Sequence, residues 1–191
     1  MEPSRAMPFR IGLRVSLQPA SLDDVPVIVK WANDPATRQL ARNSFPRTLE
    51  AVKKQVEDNA NVSQKSDLIW FIVWHNADAR TIGEAKLTRI TWANRNAALW
   101  VGIGDTDYWH QGLGREAGDL ALGYAFDELN MHKIIVHVII DHERAIAALE
   151  AAGFNREVTY REQVYFDYTY HDLAVYAMFE ADWRAAHPVE D

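Results

Sequence analysis

The sequence predicts a single α/β domain spanning residues 1–191, and three observations carry that expectation. Apolar residues alternate in some stretches, as in Leu13, Val15 and Leu17, and recur at helical spacing in others, as in Leu113, Ala117, Leu120, Ala121, Tyr124 and Ala125. Between the two kinds of pattern lies one glycine-bearing stretch, Tyr108-Trp109-His110-Gln111-Gly112-Leu113-Gly114-Arg115-Glu116-Ala117-Gly118. A chain of 191 residues with 48% hydrophobic content is long enough and apolar enough to bury one sizeable core.

Leu13, Val15 and Leu17 alternate with Arg14 and Ser16, which gives a first strand, and Ser21-x-x-Asp24 then has the spacing of a capping box. The helix that follows has Val25, Ile28, Trp31 and Ala32 as its apolar stripe. Pro26 lies late for its first turn and distorts it, and Asn33-Asp34-Pro35 ends it. Thr48 caps a second helix, with Leu49, Val52 and Val56 facing inward. After a polar loop over Asn59–Asp67, Leu68–Trp74 reads as a buried strand. The turn Asn76–Arg80 joins it to an antiparallel partner, Thr81–Thr91, in which Gly83 marks a bulge. Trp92–Asn96 turns the chain into the third strand of a meander, Ala97–Gly104. There Leu99, Val101 and Ile103 alternate with Trp100, Gly102 and Gly104, so two positions on one face lack a side chain; glycines weaken a strand unless something needs the space.

Beyond the long helix, which Asn130 terminates, Ile134–Ile140 is nearly all apolar and β-branched, as expected for a strand buried on both faces. His137 interrupts it and reads as a hydrogen-bonded or edge-facing histidine. Asp141 caps a short helix through Ala145, Ile146 and Leu149, and Gly153 supplies its left-handed C-terminal residue. Two strands, Glu157–Phe166 and Asp172–Glu180, are joined by the turn Asp167–His171, and Ala181–Asp191 forms a solvated tail.

Composition narrows the function. A formal net charge of -7 and a pI near 5.5 argue against nucleic acid as a partner and favour cationic, amine-bearing ones. With no cysteine, disulfides, thiolate metal sites and a cysteine nucleophile are excluded. The seven histidines lack a ligand spacing, so no metal is expected. No apolar run has membrane-spanning length and Met1–Pro8 lacks a signal-peptide core, so a cytoplasmic protein without a membrane partner is expected. Exposed strands allow a homodimer.

The glycine-bearing stretch reads as an anion-binding turn. Gly112 and Gly114 let the backbone adopt unusual dihedrals and approach a ligand closely, and the following helix adds free N–H groups and the positive end of its dipole. Gly112-x-Gly114-x-x-Ala117 formally matches a dinucleotide fingerprint, but Asp105–Gln111 separate it from the strand it should follow directly. No Gly-Lys-Ser/Thr sequence is present for a P-loop.

Taken together, the element order and these residues resemble the GCN5-related N-acetyltransferase (GNAT) family. Tyr108–Ala117 resembles that family's pyrophosphate loop, and Trp109 with Tyr124-Ala-Phe126-x-x-Leu129-Asn130 resembles the branch of ribosomal-protein N-terminal and polyamine acetyltransferases. His142–Ile146 leading to Ala152-Gly153-Phe154, Trp31-x-Asn33-Asp34-Pro35, Phe45-Pro46-x-Thr48, Gly83, and Tyr165-Phe166-Asp167 through His171-Asp172-Leu173 to Trp183 resemble further landmarks, so the likeness spans nearly the whole chain. It implies a mixed, mostly antiparallel sheet flanked by helices, and acetyl transfer from acetyl-CoA to a primary amine by direct attack, releasing coenzyme A. The amine would belong to a polyamine, a small amine or a protein N-terminus. It also implies that Gln111, Gly112, Leu113, Gly114 and Arg115 hold the pyrophosphate, while Val101, Gly102 and Ile103 lie along pantetheine and polarise the thioester carbonyl.

Set against the family pattern, the usual tyrosine acid falls at Leu149, the serine used in part of the branch at Ala145, the pantetheine asparagine at His142, and a glutamate of the glycine strand at Ala98 or Leu99. Replacement candidates are Glu84 as base, His142 as donor to pantetheine or the thiolate, and Tyr165 from the closing hairpin. A site so equipped favours amines of low pKa, such as α-amino groups near ~8 over lysine-like groups near ~10. The missing acid also leaves open a second class of function, an acyl-CoA-binding module with weak or no turnover. His171-Asp172 is set aside as a base with its orienting carboxylate, since neighbours on a strand point to opposite faces.

Overall fold

The computed structural model describes residues 7–41 and 45–188. Eight strands form one sheet in the order β1-β2-β3-β4-β5-β6-β8-β7. They are β1 (Arg10–Ile11), β2 (Val15–Pro19), β3 (Leu68–His75), β4 (Arg80–Thr91), β5 (Asn96–Ile103), β6 (Lys133–Ile139), β7 (Asn155–Phe166) and β8 (Thr169–Phe179). The helices are α1 (Val25–Asn33), α2 (Pro35–Ala41), α3 (Leu49–Asp58), α4 (Leu113–Gly123), α5 (Glu143–Ala151) and α6 (Glu180–Ala186). The sheet is mixed: β5 and β6 run parallel, while β1–β2, β2–β3, β6–β8 and β7–β8 are antiparallel. This is the α/β class with a mostly antiparallel sheet that the sequence predicts.

Two compact units divide the chain. One comprises Met1–Leu87 and Trp100–Ala121, the other Thr88–Leu99 and Leu122–Asp191. In the first, Val25 and Ile28 of α1, Val52 and Val56 of α3, and Trp70 and Ile72 of β3 form one apolar cluster. The capping box is present, with Asp24 Oδ2 accepting from Ser21 N at 3.0 Å. Leu22–Asp24 is a 3-10 turn, so α1 proper begins at Val25 and Pro26 sits in its first turn. There a proline costs no hydrogen bond, so the expected distortion does not occur. Asn33 ends α1 by gripping the backbone of Arg47 in both directions at 2.8 Å, and Asp34 Oδ1 accepts from Ala36 N at 3.0 Å to start α2. The sequence reading has no counterpart to α2. Thr48 caps α3 as expected, its Oγ1 accepting from Ala51 N at 3.1 Å, but Leu49 is 51% exposed rather than inward, because only Val52 and Val56 lie on the face that α1 covers.

In the second unit, the parallel register covers Asn96–Ala98 against Lys133–Ile135, and the whole of β6 pairs with Leu173–Phe179 of β8. Ile134, Val138 and Ile139 are buried, while Ile135, Val136 and His137 are half-buried, so β6 is less enclosed than its composition suggests. After α4 the chain makes a π-helical turn over Tyr124–Glu128 before Asn130, at φ 54°, ends the run as predicted. The closing hairpin turns through Asp167 and Tyr168 alone, both left-handed at φ 48° and 62°, so β8 starts at Thr169 instead of Asp172. Two such residues make a tight turn whose twist matches the strands. The expected solvated tail is instead α6 over much of its length. Trp183 is buried, with its ring stacked on Phe126 (centroids 5.8 Å apart) and on His187 (3.8 Å); residues 189–191 lie outside the described residues.

Candidate active site

The predicted anion turn is built in the first unit. Its backbone is left-handed at His110 (φ 64°) and Gly112 (φ 76°), and α4 begins at Leu113. An α-helix leaves its first N–H groups without intrahelical partners, so Leu113, Gly114 and Arg115 bring donors to the mouth of this turn. Arg14, which the sequence reading passed over as a strand residue, anchors it. Its Nη1 donates to Gln111 O at 2.8 Å and its Nε to Glu116 Oε2 at 2.9 Å, and its Nη2 is the atom that a Cβ on Gly112 would meet, at 3.6 Å. A guanidinium behind a ring of backbone donors suits a diphosphate, so the residues present fit the anionic part of coenzyme A.

Glu116 in turn accepts from the backbone N–H of Arg14 (2.7 Å) and Val15 (3.2 Å). Burial works to raise its pKa, but those two N–H groups and the Arg14 guanidinium outweigh it and hold the carboxyl below its ordinary value. Arg115 leans along the helix toward Asp119, Nε to Oδ2 at 3.5 Å.

Beside the turn, β5 differs from what its glycines suggested. A Cβ on Gly102 would lie 2.6 Å from Cη2 of Trp100, and one on Gly104 would run into the ring of Trp31. Both empty positions are therefore filled by tryptophan. Gly83 is equally specific: its Cβ would strike the carbonyl oxygen of Gly102, so the glycine admits the close approach of β5. Ile103 O accepts from the Trp109 indole at 2.7 Å, while Val101 and Gly102 share β5 with it.

Glu84 lies on β4 in the same unit and is 8% exposed. Its Oε1 is 2.9 Å from Lys86 Nζ, an ion pair by distance without the alignment of a hydrogen bond. The Lys86 ammonium also stands 4.1 Å from the ring centroid of Trp70 and 5.0 Å from that of Trp100. The sequence reading placed Glu84 on this hairpin but missed the other three; Lys86 at i+2 on the same strand, hence the same face, was the available signal.

In the second unit, His142 rather than Asp141 caps α5: its Nδ1 accepts from Ala145 N at 3.3 Å. Asp141 is engaged elsewhere, with Oδ2 2.5 Å from His171 Nδ1, and that imidazole is stacked on Phe166 with centroids 3.7 Å apart. Asp172 accepts from Glu162 N at 2.8 Å, in keeping with the rejection of a His171-Asp172 pair. Tyr165 is not a core residue. It is 59% exposed, with its ring 4.9 Å from that of Tyr170.

A mostly antiparallel sheet of this order, with a left-handed glycine turn feeding α4, defines an acyltransferase of the GNAT class. Residues 14–155 match the family model described as an acetyltransferase (GNAT) domain, and the chain belongs to that family. A spermidine N(1)-acetyltransferase of Vibrio cholerae is 31% identical over 132 residues, covering 68% of this chain and 70% of that protein. Another, from Escherichia coli strain K12, is 26% identical over 110 residues, 58% of this chain and 59% of that one. A crystal structure of the Vibrio cholerae spermidine N-acetyltransferase in complex with CoA and spermine superposes with a TM-score of 0.80 at 21% identity, covering 89% of this chain and 98% of that one, a likeness of fold. The protein is an N-acetyltransferase with acetyl-CoA as its donor.

Proposed function

We propose that the chain acetylates a primary amine, with polyamines the first acceptor class to test, and that Glu84 is the base. The supporting observation is that the buried Glu84 carboxylate already holds an ammonium, that of Lys86, at 2.9 Å. Relatives named as spermidine acetyltransferases support the polyamine.

Acetyl-CoA supplies an acetyl group on a thioester. In this reading Gln111–Arg115 and Arg14 hold its diphosphate, and Val101, Gly102 and Ile103 line its pantetheine arm. Glu84, directly or through water, takes a proton from the acceptor's ammonium so that the nitrogen lone pair is free. On the second unit, His142 has Nε2 as its candidate donor, its Nδ1 being engaged at the start of α5, and Tyr165 stands as a candidate on the exposed hairpin.

Release of the CoA thiol, followed with a thiol-reactive dye, tests this without background because the chain has no cysteine. Spermidine, single amines and N-terminal peptides are compared. Amine-dependent release that falls about 100-fold in kcat in Glu84→Gln, with the melting temperature unchanged, supports the assignment. Release that survives in Glu84→Gln at the wild-type rate removes Glu84 as base. CoA binding with no release for any amine supports instead a binding module without turnover, the reading favoured by Leu149 and Ala145 standing where the family carries its acids.

A further inference from the structure

Lys86 is an unusual residue to find where it is. Its side chain is three-quarters buried, and its ammonium stands over the faces of two indoles, 4.1 Å and 5.0 Å from the centroids of Trp70 and Trp100, and 2.9 Å from Glu84 Oε1. Aromatic faces carry negative potential, and two of them with one carboxylate form the arrangement that recognises ammonium ions. The box is built, not incidental. Trp100 lies along its strand only because Gly102 has no Cβ to obstruct the ring, and Trp70 is fixed in the apolar cluster of α1 and α3. Glu84 and Lys86, two residues apart on β4, present to the same face.

We propose that Glu84, Trp70 and Trp100 form an ammonium-binding subsite that the protein's own Lys86 occupies, so that Lys86 acts as an internal competitor and sets acceptor selectivity. This rests on the reading that Glu84 serves the amine. An external ammonium reaches the subsite only by displacing Lys86, so a polyamine acceptor binds there more weakly than it would in a vacated box. A shorter side chain at this position vacates the box. Lys86→Ala removes three methylenes and the ammonium, which leaves a slot with the outline of a propylammonium ion, the terminal arm of spermidine.

Binding without acetyl-CoA tests this independently of turnover. Tryptophan fluorescence is titrated with propylammonium, with spermidine and, as a neutral control of the same length, with propan-1-ol. The titrated proteins are wild type, Lys86→Ala, Lys86→Arg and the double variant Lys86→Ala/Glu84→Gln. Lys86→Thr, which keeps a strand-favouring residue, serves if the alanine variant does not fold. The expected result is at least tenfold tighter binding of both cations by Lys86→Ala or Lys86→Thr, none by Lys86→Arg, loss of the gain in the double variant, and no response to propan-1-ol. Equal cation affinity in wild type and the shortened variants, or a gain that survives loss of Glu84 or extends to propan-1-ol, overturns the subsite. If the shortened variants gain cation binding while no amine is acetylated by the wild type, the subsite stands and the catalytic reading of Glu84 falls.

Discussion

Arg14 shows how one side chain can organise a loop that would otherwise be held by backbone alone. Its contacts to Gln111 O and Glu116 use Nη1 and Nε of the guanidinium and leave Nη2 beside Gly112. Hydrogen bonds to charged groups contribute about 1.5–3 kcal/mol. Arg14→Gln is therefore expected to raise the KM for acetyl-CoA at least tenfold with a smaller change in kcat; an unchanged KM would show that the turn holds the diphosphate without it. Gly83→Ala is a packing prediction. With β5 backbone where the methyl would go, urea unfolding should show a loss of about 1–3 kcal/mol, and a neutral result would mean that β5 shifts to admit it. Sequence pattern identified Gly83, Gly112 and Glu84 because each has an intrinsic peculiarity, a missing Cβ or a charge on an apolar strand. It passed over Arg14, Trp70 and Lys86, whose significance comes only from what lies next to them across the fold.

Helix and strand boundaries were legible wherever a local signal decides them: the capping box of Ser21 and Asp24, the Thr48 cap, Asn130 at the end of the long helix, and Gly153 at φ 94° after α5. They were not legible where a distant partner decides. Asp141 and His142 are both competent N-caps, and the histidine takes the role because His171 engages the aspartate. The same holds for α6, which looks polar until Phe126 is placed against Trp183. The start of α4 yields a pH prediction. Because the Glu116 carboxyl is held below its ordinary value in the folded chain, it contributes stability that is full above about pH 4.3 and is lost as the pH falls through the lower folded value. Thermal melts across that acid range should be steeper for wild type than for Glu116→Gln, with the gap between them largest near neutrality. A constant gap at every pH would place the effect of the substitution in packing instead of ionisation.

For the molecule as a whole, the formal charge of -7 acts on encounter rather than on fold. Spermidine as acceptor should show a kcat/KM that falls several-fold as ionic strength rises from about 0.01 M to 0.15 M, where the screening length drops from about 30 Å to about 8 Å, while an uncharged acceptor stays level. Equal salt response for both would assign attraction to the site alone. Element order foretold the sheet, whereas the passage between the two units had no local signal, since it falls inside β4 after Leu87 and inside β5 after Leu99, where the strand pattern runs on. The chain passes from one unit to the other after Leu87, after Leu99 and after Ala121. Consequently no single break in the gene yields either unit whole. A transcript truncated near its middle would encode unpartnered apolar strands suited to rapid proteolysis, and separating the two units from each other would require three cuts in the same message.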